Sequence, residues 1–208
     1  MFRNILTAAI CLVASTNVKS QTVYLPAGAE YIRHTPSAAP NSIIDAKEQR
    51  GVIVYKGKSC FDESDAFILS EDGAKKFGNN EWVDVHLQMQ IYKPAAKMVF
   101  DQVMQLNPPA VELNKKRDAF KAEKNSDGTP MYNLKIVDVA DGKMLILNQH
   151  ITCAESKYKS YEITSFYSYA VIGTSIIWID ASYNAATPDL AIKTHNDVVG
   201  QIKKVGSN

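Results

Sequence analysis

The segment that decides the fold is WVDVHLQMQIY, residues 82–92, in which polar and apolar side chains alternate along the whole length. One set of positions carries valine, leucine, methionine and isoleucine, whereas the other carries mostly polar or aromatic residues. Because successive side chains of a β-strand point to opposite faces, this pattern predicts a strand with one face in the core and one in water. Such strands are typical of antiparallel sheets.

Two further strand pairs are predicted, each around a turn. Asp141 and Gly142 form a dipeptide that favours a hairpin, and Gly173 supplies the second turn. The flanking segments are rich in β-branched and apolar residues, as expected of strands. They are residues 131–140 and 143–153 for the first hairpin, and residues 161–173 and 174–183 for the second.

Three helices are predicted between and after these strands. The first begins with Pro94 and ends before Pro108, because proline suits a first helical turn and cannot continue a helix. A second, weakly amphipathic helix covers residues 110–124. The third follows Thr187, an N-cap residue succeeded by a proline and an aspartate. We expect the first helix to turn a mostly apolar stripe to the sheet, formed by Ala95, Met98, Val99, Gln102, Val103 and Leu106.

These elements predict the α+β class, with a mostly antiparallel twisted sheet and helices packed on one face. Residues 21–208 are expected to form one compact domain, because a chain of this length can bury a sizeable core. Within it, residues 21–50 are polar and contain proline, which predicts a partly extended lead-in.

Residues 1–20 have the pattern of a secretory signal peptide. Arg3 precedes an apolar run over residues 5–14, and small residues stand before the expected cleavage site. The run is too short to cross a bilayer, which takes about 20 residues. No other stretch is long and apolar enough, so no transmembrane span is expected after removal of the signal peptide. We therefore predict a periplasmic or secreted protein.

The charge of the exported chain argues against nucleic acid as a partner. Loss of residues 1–20 removes Arg3 and Lys19 but no acidic residue, which leaves 21 basic and 22 acidic side chains and a formal charge of −1. The longest basic block is the short NKKR at residues 114–117. A nucleic-acid-binding surface would need a larger basic patch.

Two cysteines, Cys60 and Cys153, are left after signal removal, and an oxidising compartment predicts a disulfide between them. The bridge would close a loop of about 93 residues and contribute about 4 to 5 kcal/mol in the chain-entropy picture. Two separate buried thiols are the alternative. His150 is three residues from Cys153 on one strand, so the two side chains point to opposite faces and do not form one site.

No catalytic group or cofactor site emerges from the residue pattern. Asp84 and His86 share the polar face of their strand, but two ligands are too few for a structural zinc site, so we expect no metal and no cofactor. His195 lies within the apolar stripe of the last helix, with Val198, Ile202 and Val205. That position predicts a buried, hydrogen-bonded core histidine. The protein is therefore expected to be non-catalytic.

Aromatic residues suggest where a partner would bind. Tyr161, Tyr167 and Tyr169 share one strand face, and tyrosine is favoured at protein interfaces, although it is also common in ordinary strands. The leading hypothesis is a protein that binds another macromolecule, as an inhibitor, an immunity-type protein or an envelope accessory protein does. The alternative is a small exported enzyme or ligand carrier with a pocket on the polar strand face, lined by Trp82, His86 and Tyr92.

Overall fold

The computed structural model describes residues 24–25, 29–35, 43–55, 81–152, 160–183 and 188–207. The predicted signal peptide and the predicted disulfide partners Cys60 and Cys153 lie outside these residues. Trp82 and Tyr161 belong to described strands, but their side chains are not described. Export and the disulfide therefore stay predictions.

The described residues form seven strands and three helices. The strands are β1 (Ala29–Thr35), β2 (Ile44–Tyr55), β3 (Glu81–Tyr92), β4 (Asn133–Val139), β5 (Gly142–Thr152), β6 (Ser160–Ile172) and β7 (Ser175–Tyr183). The helices are α1 (Lys97–Leu106), α2 (Pro109–Ala122) and α3 (Pro188–Gly206), and a short 3-10 helix at Pro94–Ala96 precedes α1. None of the helices in this part of the chain is long and apolar enough to cross a membrane.

All seven strands belong to one antiparallel sheet in the order β1-β2-β3-β7-β6-β5-β4. Consecutive strands pair within each half of the sheet, and β3 pairs with β7 to join the halves. In this central pairing Val85 lies opposite Ala181 and Leu87 lies opposite Ile179. The predicted α+β class and antiparallel sheet are confirmed.

The alternating pattern of β3 divides its side chains between two environments, as predicted. Val83, Val85 and Leu87 have no exposed surface, whereas His86 is partly exposed and Gln88 is exposed. The apolar side chains are the centre of the largest buried cluster in the described residues. The period-two pattern of this strand therefore assigned its core face correctly.

α3 packs on that apolar face of the sheet. Its side chains Ala191, Val198 and Ile202 are buried against the strands. Phe166 of β6 and Ile179 of β7, neither of which has exposed surface, lie in the same cluster. Full burial of an aliphatic side chain contributes about 1.5 to 3 kcal/mol, so the helix and this face of the sheet stabilise each other.

α1 and α2 pack on the opposite face. Phe100 of α1 is buried with Ile176 of β7, and Leu113 of α2 is buried with Leu145 of β5 and Tyr169 of β6. The prediction that helices cover only one face of the sheet is therefore wrong. β5, β6 and β7 carry large apolar side chains on both faces, so each face needs a cover that excludes water.

The apolar stripe predicted to face the sheet on α1 mostly faces water. Met98 is 78% exposed and Leu106 is 81% exposed, whereas Phe100 is buried and Val103 half-buried. The ring of Phe100 meets the ring of Tyr92 edge to face, with centroids 5.4 Å apart. The larger apolar surface of the phenylalanine ring explains why α1 turns this side to the sheet.

Both predicted hairpins are present, and backbone geometry explains their turn residues. Asp141 adopts φ 59° and Gly173 adopts φ 58°, in the left-handed region that glycine tolerates best. Gly142 begins β5, where an added Cβ would lie 1.8 Å from the carbonyl oxygen of Tyr169. Glycine is required there because the neighbouring strand leaves no room for a side chain.

His195 is fully buried between α3 and the sheet, as predicted. Its Nδ1 lies 2.8 Å from Ser168 Oγ, and its Nε2 lies 2.9 Å from the carbonyl oxygen of Ala140. Because a carbonyl oxygen only accepts, Nε2 carries the proton. Nδ1 of the neutral ring accepts the one hydroxyl proton of Ser168, whose other acceptor, the carbonyl oxygen of Ile179, is farther away at 3.3 Å. Burial lowers the pKa of His195 below its ordinary 6.5, although the hydrogen bond to Ala140 and the charge of Asp141 oppose this.

Urea unfolding at several pH values tests the neutral state of His195. The unfolded chain takes up this proton near pH 6.5, but the native ring resists it. Stability is therefore expected to fall as the pH drops below about 6.5, by up to about 1.4 kcal/mol per pH unit. A His195→Gln variant should show a smaller slope than the wild type. Equal slopes in the wild type and His195→Gln would contradict the assignment.

Candidate functional site

A row of ionisable side chains crosses the sheet on the face opposite α3. Arg50 of β2, His86 of β3, Asp180 of β7 and Tyr167 of β6 occupy successive paired positions. Cross-strand neighbours of this kind share one face with Cβ atoms about 5 Å apart. The row therefore places Asp180 between His86 and Tyr167, two of the residues predicted from the sequence.

On β2 and β3, charged side chains in and beside this row form two contacts between the strands. The guanidinium group of Arg50 donates to both carboxylate oxygens of Asp84, at 3.0 Å from Nε and 2.5 Å from Nη2. The ring of His86 contacts the carboxylate of Glu48. Asp84 and His86 thus each have a separate partner on β2. Within the described ranges, no group of three His, Cys, Asp or Glu side chains is placed to hold one metal ion.

Asp180 is the least satisfied member of the row. Its Oδ1 is buried and has no hydrogen-bond partner among the described residues. Burial raises the pKa of Asp180, while the positive charges of Lys116 and His86 lower it. Burial also raises the pKa of the neighbouring Tyr167, with further contributions from the carboxylates of Asp180 and Glu123. Burial therefore disfavours the ionised forms of both Asp180 and Tyr167.

The tyrosines predicted as a contact surface lie largely beneath helices. Tyr167 stacks on Phe120 of α2 at 5.4 Å between centroids, and Lys116 Nζ lies 4.5 Å from the Tyr167 ring. Tyr169 is 8% exposed and meets Trp178 edge to face. Tyr92 is likewise buried, against α1. Tyr92 and Tyr169 are therefore part of the interior rather than of an open face.

An apolar cleft opens on the other face of the sheet, under the last two turns of α3. Its volume is about 680 Å³, within the range of roughly 300–1,000 Å³ found for small-molecule sites. The described residues that line it are Tyr24, Met89, Ile91, Ile172, Ser175, Ile177, Ile202, Lys203, Val205, Gly206 and Ser207. Large apolar side chains from the lead-in, three strands and one helix thus meet in one concave surface.

Polar groups of the cleft stand near its rim. Lys203 Nζ lies 2.6 Å from Asp141 Oδ2, and Ser207 Oγ donates to the carbonyl oxygen of Lys203 at 2.8 Å. The hydroxyl group of Tyr24 accepts a hydrogen bond of 2.8 Å from Lys47 Nζ. These partners hold Tyr24 and Lys203 in position beside the apolar surface.

Sequence reasoning missed this cleft. Ile202 and Val205 follow the helical spacing of a packed stripe, and nothing in that spacing distinguishes a side chain over the sheet from one over a cleft. Tyr24 is distant in sequence from every other lining residue. The one available signal was the continuation of the apolar stripe to the end of α3.

No protein-family model matches the chain, and no characterised protein or solved structure shows significant similarity to it.

Replacement of Asp180 by asparagine tests the electrostatics of the row. Since the folded state disfavours the Asp180 carboxylate, Asp180→Asn is expected to raise the urea midpoint at pH 7, and the gain should shrink as the pH falls towards 4. The matched variant Asp84→Asn breaks the pair with Arg50 and should lower the midpoint at pH 7, with a loss of up to about 1 kcal/mol in the free energy of unfolding. Destabilisation of similar size in both variants would contradict the described state of Asp180.

Proposed function

We propose that the protein is a non-catalytic binding protein that holds a small, largely apolar molecule in the cleft under α3. The observation that carries this proposal is the lining itself, in which isoleucine, methionine, valine and tyrosine side chains surround about 680 Å³. Pockets of this kind, mostly apolar with a few polar groups at defined positions, are typical of small-molecule sites. The sequence predicted a ligand pocket on the polar face of β3, whereas the proposed pocket lies on the apolar face of that strand.

The energetics of the cleft favour an apolar ligand. Each methylene group taken out of water contributes about 0.8 kcal/mol, which corresponds to roughly a fourfold change in Kd. A ligand that fills the cleft would also cover Ile91, Ile172 and Val205, which are partly exposed. The apolar surfaces of both the ligand and the cleft are therefore removed from water.

Export is part of the proposal. A signal peptide over residues 1–20 would direct the protein to the periplasm or the exterior. A carrier in such a compartment would move apolar molecules through water between membranes or between the cell and its surroundings. Such a role requires no catalytic group and no cofactor.

A fluorescent apolar probe tests the cleft. Neutral N-phenyl-1-naphthylamine is expected to bind saturably with enhanced emission. Val205→Trp should fill part of the cleft and weaken binding about tenfold, equivalent to about two lost methylene contacts. The matched control Val111→Trp alters a similarly sized side chain on α2, on the other face, and should bind like the wild type. Unsaturable binding, or equal loss in both variants, would contradict the proposal.

A second candidate function is the predicted binding of a partner protein, and the outward face of α1 favours it. Met98 and Leu106 are strongly exposed and lie two turns apart on the same side of α1, and Val99 beside them is 39% exposed. Clustered apolar side chains on a surface are typical of protein interaction sites. This surface is separate from the cleft, because α1 lies on the opposite face of the sheet.

Recovery of a partner from native envelope extract tests the second candidate. The wild type is expected to retain a specific protein that the Met98→Glu/Leu106→Glu double variant loses, because two buried carboxylates would oppose the contact. The control Gln105→Glu/Asn107→Asp adds the same charge at exposed positions of the same segment and should retain the partner. Equal recovery with both double variants would count against this surface.

A further inference from the structure

Lys203 gives the cleft a charge preference. Among the described residues that line the cleft, it is the only lysine, arginine, histidine, aspartate or glutamate. Its side chain is 50% exposed and belongs to the last turn of α3, so the ammonium group stands at the boundary between the apolar surface and water. No carboxylate is among the described lining residues.

The partner of Lys203 lies outside the lining. Asp141, in the turn between β4 and β5, holds the ammonium group at 2.6 Å, and its side chain is 30% exposed. A second ammonium group, that of Lys47, lies 5.3 Å from the centre of the Tyr24 ring, whose hydroxyl group it also contacts. Positive charge therefore borders the cleft on the α3 side and near Tyr24, while the carboxylate of Asp141 that pairs with Lys203 is not part of the lining.

We propose that the ligand is a single-chain amphiphile with an anionic head group, and that Lys203 binds this head. The inference rests on the proposed function, since it assumes that the cleft is occupied. The hydrocarbon chain lies against the partly exposed Ile91, Ile172 and Val205. The head at the rim accepts a hydrogen bond from Lys203 Nζ. Asp141 competes with the ligand for the same ammonium group.

The position of Lys203 explains why an anionic head is preferred over a neutral or cationic one. A head at the rim keeps part of its hydration, so its desolvation costs little, and the contact with an ammonium group is a charge-assisted hydrogen bond. A cationic head would be repelled by Lys203. An exposed ion pair of this kind changes affinity by up to about fivefold, because water and salt screen it.

Three ligands of equal chain length separate the head group from the chain. Decanoate, 1-decanol and decylammonium are titrated into the full mature protein at pH 7.5 and low salt, below their aggregation concentrations, with displacement of the fluorescent probe as the readout. Decanoate is expected to bind about three- to fivefold more tightly than decanol, and decylammonium more weakly than decanol.

Four variants assign the preference to Lys203. Lys203→Gln should remove the difference between decanoate and decanol, and Lys203→Arg should keep it. Lys204→Gln removes an exposed charge from the adjacent position, outside the lining, and is the matched control that should keep the difference. Asp141→Asn frees the ammonium group from its competitor and should strengthen decanoate binding by a few fold without changing decanol binding. Asparagine tolerates the left-handed backbone at this position, so the turn should be retained.

The outcomes distinguish the head group from the cleft. Equal affinity of the wild type for decanoate and decanol would overturn the assignment of an anionic ligand but leave the cleft as a binding site. Loss of the decanoate preference in Lys204→Gln as well as in Lys203→Gln would overturn the role of Lys203. Absence of binding by all three ligands would overturn the proposed function itself.

Discussion

The pairing of β3 with β7 is the constraint on which the rest of the structure depends. About 40 residues separate the end of β3 from the hairpin β4–β5, and both helices of the middle segment lie between them. Only the β3–β7 ladder joins the first three strands to the last four within the described sheet. Its register sets Val85 beside Ala181 and Leu87 beside Ile179, which makes one continuous apolar floor across the two halves.

This floor determines where α3 lies, and α3 in turn creates the cleft. The first part of the helix is held closely by Ala191, His195 and Val198, which are fully buried against the sheet. The last turns extend past this packed region, so Val205 and its neighbours border open space beside Tyr24. On the other face, α1 and α2 close over Tyr92 and Tyr169, whereas Arg50 and His86 of the ionic row stay exposed or partly exposed. The apolar cleft and the ionic row thus lie on opposite faces of one sheet.

Local patterns predicted much of the fold but little of the site. The alternation in β3, the turns at Asp141 and Gly173, and the buried state of His195 each follow from a few consecutive residues. The coverage of both sheet faces by helices does not follow from local patterns. In β5 to β7 apolar residues are consecutive, so no period-two alternation distinguishes a buried face from an exposed one. The cleft depends on the distance between a helix end and a lead-in residue, which no local period encodes. The outward turn of Met98 similarly depends on how Phe100 fits Tyr92.

The central claim is that the apolar face under the end of α3 binds the chain of an amphiphile, and methyl NMR tests it most directly. Ile91 and Ile172 line this cleft and are partly exposed, whereas Ile176 is buried on the opposite face of the sheet with Phe100 of α1. On addition of decanoate, the δ1 methyl signals of Ile91 and Ile172 should shift saturably and show contacts to the ligand chain, whereas that of Ile176 should not. Contacts to Ile176 with none to Ile172, or no saturable change in the signals of Ile91 and Ile172, would contradict the account.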